Sequence, residues 1–198
     1  MEGQCARCRS TECYEGKDCF GLVTEARGAY REAELRSMKV SGDIEAEHYM
    51  KLTRLEEIML YADMMNKRRL GIAFCVGLHN EARTLDRILT SRGFEVHSAC
   101  CKICGIDKGE LGVRKMHGVE GKEAVCNPIG QAILLNRRKT DMNIIVGLCV
   151  GHDMLFTEHS DAPVTTLVVK DRVLSHNPVG ALYSSYYLET KFGLVDER

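Results

Sequence analysis

Between residues 70 and 169, short apolar runs alternate with helical stripes. Residues 70–76 (LGIAFCV) form an apolar run between the basic Lys67-Arg68-Arg69 and Gly77. Runs of this length between turn signals predict a buried strand. Asn80 is placed to cap a helix through Ser91, with Ala82, Leu85, Ile88 and Leu89 inward and Gly93 at its end. Residues 94–99 read as a second strand. Asn127-Pro128 opens a helix to about Arg138, with proline at its first position. Residues 142–148 (MNIIVGL) give a third strand, 151–159 a helix and 164–169 (VTTLVV) a fourth strand. Asn177-Pro178 opens a final helix.

Two more helices are expected upstream. Residues 21–36 place Leu22, Ala26, Ala29 and Tyr30 along one side. Ser41-Gly42-Asp43 is a break, and a second helix runs from Ile44 to about Asn66, with Leu52, Leu55, Ile58, Met59, Ala62 and Met65 at helical spacing. That stripe reads as core. Residues 1–20 are rich in cysteine and poor in apolar side chains.

The alternation predicts an α/β fold: a parallel sheet of about four strands with covering helices, flavodoxin-like or Rossmann-like. To it are added an N-terminal Cys-rich metal segment and two helices. The expected division is 1–20 (metal-binding segment), 21–66 (helical segment) and 67–198 (α/β domain with a metal or substrate pocket). The 102–125 stretch, glycine-containing and charged, is long for a loop in a compact domain and suits a lid or binding loop.

Composition narrows the function classes. Net charge is −1 over 198 residues, which makes no electrostatic case for nucleic acid or an anionic membrane. No apolar run approaches the roughly 20 residues of a membrane helix. The start, MEGQCARCRS, has no apolar h-region, so a cytoplasmic location is expected. Against that ordinary background stand 10 cysteines and no tryptophan. In a reducing compartment, such a count points to metal-bound thiolates rather than disulfides. The 9 methionines add oxidation liabilities and favour an anaerobic host.

Cys5, Cys8, Cys13 and Cys19 place four thiols in one short stretch. They suffice for one iron–sulfur cubane, with zinc as the alternative. The others follow strand ends. Cys75 lies near the end of the first strand, Cys100 and Cys101 after the second, and Cys149 after the third. Cys126 precedes the Asn127-Pro128 helix start, and His176 precedes Asn177-Pro178. Ligands in open α/β sheets bind outside the carboxyl ends of the strands. Cys75, Cys101, Cys126 and Cys149 are therefore candidate cofactor ligands, although a buried cysteine also serves as a small hydrophobe. His152, Asp153, Lys170 and His176 are candidate acid–base or substrate groups. A second CxxC, Cys101-x2-Cys104, follows Cys100 and is a weak redox signal.

The chain also echoes itself. Val76-Gly77-Leu78-His79 parallels Val146-Gly147-Leu148-Cys149, and Cys126-Asn127-Pro128-Ile129-Gly130 parallels His176-Asn177-Pro178-Val179-Gly180. Each echo sets a cysteine opposite a histidine, the two types that exchange as metal ligands. Recurrent loop chemistry explains the echoes equally.

The Cys-rich start, Ala99-Cys100-Cys101-Lys102, Cys126-Asn127-Pro128, the 147–153 segment (GLCVGHD) and Lys170-Asp171-Arg172-Val173 resemble a family of uncharacterised Cys-rich metal-binding proteins, a domain of unknown function, from anaerobic microbes. The resemblance spans nearly the whole chain. It implies metal binding and supplies no reaction or catalytic residue.

The resulting expectation is a metal-binding, iron–sulfur protein with one or two 4Fe-4S clusters. A non-redox lyase or desulfidase-like activity would operate at a cluster with an open iron. The alternatives are an electron carrier or redox sensor, and a zinc-stapled module that binds a small molecule. A small-molecule ligand fits all of these except the carrier.

Overall fold

A computed structural model describes residues 5–194. The chain divides into two compact units, Met1–Lys51 and Leu52–Arg198.

In the first unit, 3-10 turns at Cys5–Arg7 and Glu12–Glu15 precede helices α1 (Val23–Ala29) and α2 (Glu32–His48). Asp18 organises the approach to α1. One carboxylate oxygen accepts from Phe20 N (3.3 Å) and Leu22 N (3.0 Å), the other from Val23 N (2.9 Å). The single helix expected over 21–36 is broken at Tyr30 and Arg31, both extended. The expected break at Ser41-Gly42-Asp43 lies inside α2 instead. An interior glycine costs only about 1 kcal/mol, whereas ending and renucleating a helix costs more. The stop comes later, where Met50 takes a left-handed φ of 57°.

The second unit opens with α3 (Arg54–Met64), so the helix expected from Ile44 starts ten residues later. Thr53 and Glu56 form a reciprocal capping box that fixes this start. The sequence pattern groups this helix with 21–66, but its buried Ile58 and Ala62 belong to the core of the sheet unit.

Strands β1 (Arg69–Phe74), β2 (Glu95–Cys100), β3 (Met142–Val146) and β4 (Val164–Val168) form one parallel sheet in the order β2-β1-β3-β4. Helices α4 (His79–Ser91), α5 (Pro128–Arg137) and α6 (His152–His159) connect them. Strand periodicity sorts the core into two layers. Leu70, Ile72 and Phe74 face α3 and α4, together with Met142, Ile144 and Val146. Ala73, Ala99 and Ile145 face α5 and α6, among Ala132, Leu135 and Phe156. The α/β fold and parallel sheet are as the sequence predicts. At Gly71 a Cβ would collide with the Asn143 and Leu135 side chains, so the α5 layer packs directly on the strand backbone.

Two segments differ from expectation. The 102–125 loop contains 3-10 turns at Ile103–Gly105 and Lys108–Leu111 and closes on itself. Lys108 N donates to Glu123 O (2.9 Å), and Val125 N to Ile106 O (2.8 Å). A half-buried Lys108–Glu123 ion pair of 2.6 Å joins the same arms. Beyond β4, Asn177-Pro178 makes a turn, with Gly180 N donating to Asn177 O, rather than a long helix. Among the described residues, a four-residue α7 (Gly180–Tyr183) and a π-helical turn (Tyr186–Lys191) follow.

Candidate functional site

In this strand order the chain runs outward from β1 to β2 on one side and from β3 to β4 on the other. The reversal lies between β1 and β3, the position at which open α/β sheets bind ligands beyond the carboxyl ends of their strands. Those loops are Val76-Gly77-Leu78-His79 and Val146-Gly147-Leu148-Cys149, the two halves of the first sequence echo. Both are tied to the sheet: Cys75 N donates to Val146 O (3.1 Å), and Gly147 N to Val168 O (2.8 Å). Cys75 is buried and Cys149 half-buried.

Cys101 and Cys126 meet beside them. The closed base of the 102–125 loop accounts for this, because it returns the chain to where it left β2. Lys102 Nζ donates to Ala124 O (2.6 Å), and Asn127 N to Cys101 O (2.7 Å). Asn127 caps α5 through Gly130 N (2.8 Å). The two thiols are coupled, and the coupling pushes their pKa values apart, Cys126 down and Cys101 up. That coupling, then the Lys102 ammonium and the charge of His152, lowers Cys126 to about 5 against the effect of burial. Cys101 is pushed far up by the same coupling and by burial, against an N–H from Val76 that reaches its Sγ at 3.3 Å. Of the pair, Cys126 is therefore the thiol that ionises first.

Cys149 has a different partner. Arg172 Nη2 donates to Cys149 Sγ at 2.9 Å. This bond raises the guanidinium pKa, and the charges of Cys75 and Cys126 add to the effect. Arg172 stands on a turn that His176 braces. Asp171 N donates to His176 Nδ1 (3.1 Å), His176 N donates to Asp171 O (2.9 Å), and Asp171 Oδ1 accepts from Val173 N and Leu174 N. Ser175 and His176 hold left-handed φ values of 51° and 65° there. His176 therefore positions the Arg172 turn.

The remaining candidates take distinct places. His152 begins α6 and is felt electrostatically by Cys126. Asp153 accepts from its neighbour Met154 N (2.8 Å), a local helix-start contact. Lys170 runs past Gly147 and Gly77. Cys104 is exposed with φ 70°, so Cys101 pairs with Cys126 and not within its own CxxC. Cys5, Cys8, Cys13 and Cys19 are exposed on the first unit. Lys102 and Arg172 were not among the sequence candidates. The signal for both was adjacency, one residue after Cys101 and two after Lys170.

The donor set is soft and the pKa of Cys126 is lowered, chemistry that suits iron–sulfur or zinc. Among the described residues, however, no three Cys, His, Asp or Glu side chains stand at ion-holding geometry. Cys149 is turned to Arg172 and Cys101 to the Val76 amide.

Fold and site together define a parallel α/β protein with thiols and basic side chains gathered at its topological switch point. The chain belongs to the family described as "Protein of unknown function (DUF1847)", whose model matches residues 17–167. An uncharacterised protein of Methanocaldococcus jannaschii, an anaerobic archaeon, is 53% identical over 188 residues, covering 94% of this chain and 96% of its own length. No solved structure matches. Among the described residues, no helix is long and apolar enough to cross a membrane.

Proposed function

We propose that the protein is an iron–sulfur protein whose main centre sits at the switch point, on thiols drawn from Cys75, Cys101, Cys126 and Cys149. The observation that carries this reading is the gathering of thiols at the ends of the parallel strands: Cys75 follows β1 and bonds through its N–H to Val146 O, the closed 102–125 loop brings Cys126 back to Cys101 after β2, and Cys149 follows β3 and faces Arg172. Because the ligating form of cysteine is the thiolate, binding at these thiols would release protons.

A cluster held by three of these thiols would supply a Lewis-acidic iron open to a sulfur or oxygen of a ligand. That fits a non-redox lyase or desulfidase-like activity. The chain's own groups have separate tasks. Arg172 and Lys170 attract negative charge, His152 can hold or give a proton beside Cys126, and His176 keeps Arg172 in place. The exposed Cys5, Cys8, Cys13 and Cys19 would hold a second centre, iron–sulfur or zinc.

Reconstitution with ferrous iron and sulfide under argon tests this. The wild type should gain the broad visible absorption of a cluster, and Cys149→Ala and Cys126→Ala should each lose the sheet-edge share of it. His152→Ala should load as the wild type does. Loading that is indifferent to Cys126 and Cys149 would overturn the assignment.

A further inference from the structure

Among the described residues, the ends of β1 and β3 hold a lysine, Lys170, with no carboxylate partner. Lys170 is half-buried. Its Nζ lies 3.5 Å from the point where a Cβ on Gly77 would stand, and Cys75 Sγ lies 4.0 Å from that same point. Its Cδ passes 3.7 Å from the equivalent point on Gly147. Lys170 therefore runs past the loops that leave β3 and β1, its stem at Gly147 and its ammonium at Gly77.

Arg172 flanks the same loop after β3: its Nη2 donates to Cys149 Sγ at 2.9 Å, two residues beyond the Gly147 that Lys170 passes. Among the described residues, neither cation pairs with a carboxylate. The acids of the adjoining loops are occupied by backbone N–H groups: Asp171 by Val173 and Leu174, Asp153 by Met154. An ammonium half withdrawn from water without a counter-ion is costly, and an anion that fills the gap recovers that cost.

We propose that the switch point takes a small organic anion, its acid group between Lys170 and Arg172 and its other end toward Cys75 and Cys149. This names the ligand class of the centre proposed above and rests on that reading for the role of the second end. The acid-binding half needs only the two cations. The rival role for them is to balance the charge of a cluster.

Calorimetry on the full chain, prepared anaerobically in loaded and metal-free forms, separates these. The probes are mercaptoacetate and its neutral amide, mercaptoacetamide. Mercaptoacetate should bind about tenfold tighter or better in both forms, the scale of a charge-assisted hydrogen bond. Lys170→Met should abolish the preference and Lys170→Arg should keep most of it. Arg172→Met serves as the second variant should Lys170→Met fail to fold. Equal affinity for the two probes, no mercaptoacetate binding at millimolar concentration, or a preference that survives both Met variants would overturn the proposal. A preference intact in protein that takes up no iron would refute the cluster and leave the anion site standing. Iron uptake without any preference would do the reverse.

Discussion

Coupling between Cys101 and Cys126 raises the pKa of Cys101 and lowers that of Cys126. Cys126 should therefore alkylate first. At pH 6 iodoacetamide should label Cys126 well ahead of Cys101, as peptide mass mapping would show. Labelling should fall as pH drops through about 5. In Cys101→Ala the coupling is gone, and the midpoint should move up toward the ordinary thiol value of about 8.5. An unchanged midpoint in that variant would mean that Lys102 alone sets it.

Gln131 braces the strand ends that carry these thiols. It is fully buried, and its Nε2 donates to Phe74 O (3.2 Å) and Ala99 O (2.6 Å), while Oε1 has no partner among the described residues. Gln131→Ala leaves a cavity and removes both bonds, so unfolding free energy should drop by about 2–5 kcal/mol. Chemical denaturation measures this. A loss under about 0.5 kcal/mol, the range of an ordinary surface change, would remove Gln131 from the framework of the site.

Much of this was legible from the chain. Each strand run and the Asn127-Pro128 helix start fell where short-range signals are strong: buried apolar runs, a proline at the first helical position, and Gly93 with φ 85° after α4. Chain order alone gathered Cys75, Cys101 and Cys149 at one edge, because parallel strands end together. Other features were not legible. Gly42 looked like a stop, yet α2 runs through it because helix cooperativity outweighs one glycine. The second Asn-Pro looked like the first, but it makes a turn and the short helix after it starts only at Gly180. The Cys101–Cys126 partnership depends on the 102–125 loop closing through Lys108 and Glu123, a pairing that no local spacing announces.

The two cysteine groups lie in separate compact units and should be separable. Deleting residues 1–20 should remove one metal centre while cooperative unfolding of the sheet unit persists, followed by circular dichroism and metal analysis. Simultaneous loss of all metal and of the cooperative transition would place Cys5, Cys8, Cys13 and Cys19 in one site with the later cysteines.

The most direct test of the central claim is the iron, acid-labile sulfide and zinc content of the full chain purified under argon. Iron with matching sulfide, much of it lost in Cys126→Ala, is the predicted result. Zinc alone with no sulfide, or iron content indifferent to Cys126, would contradict it.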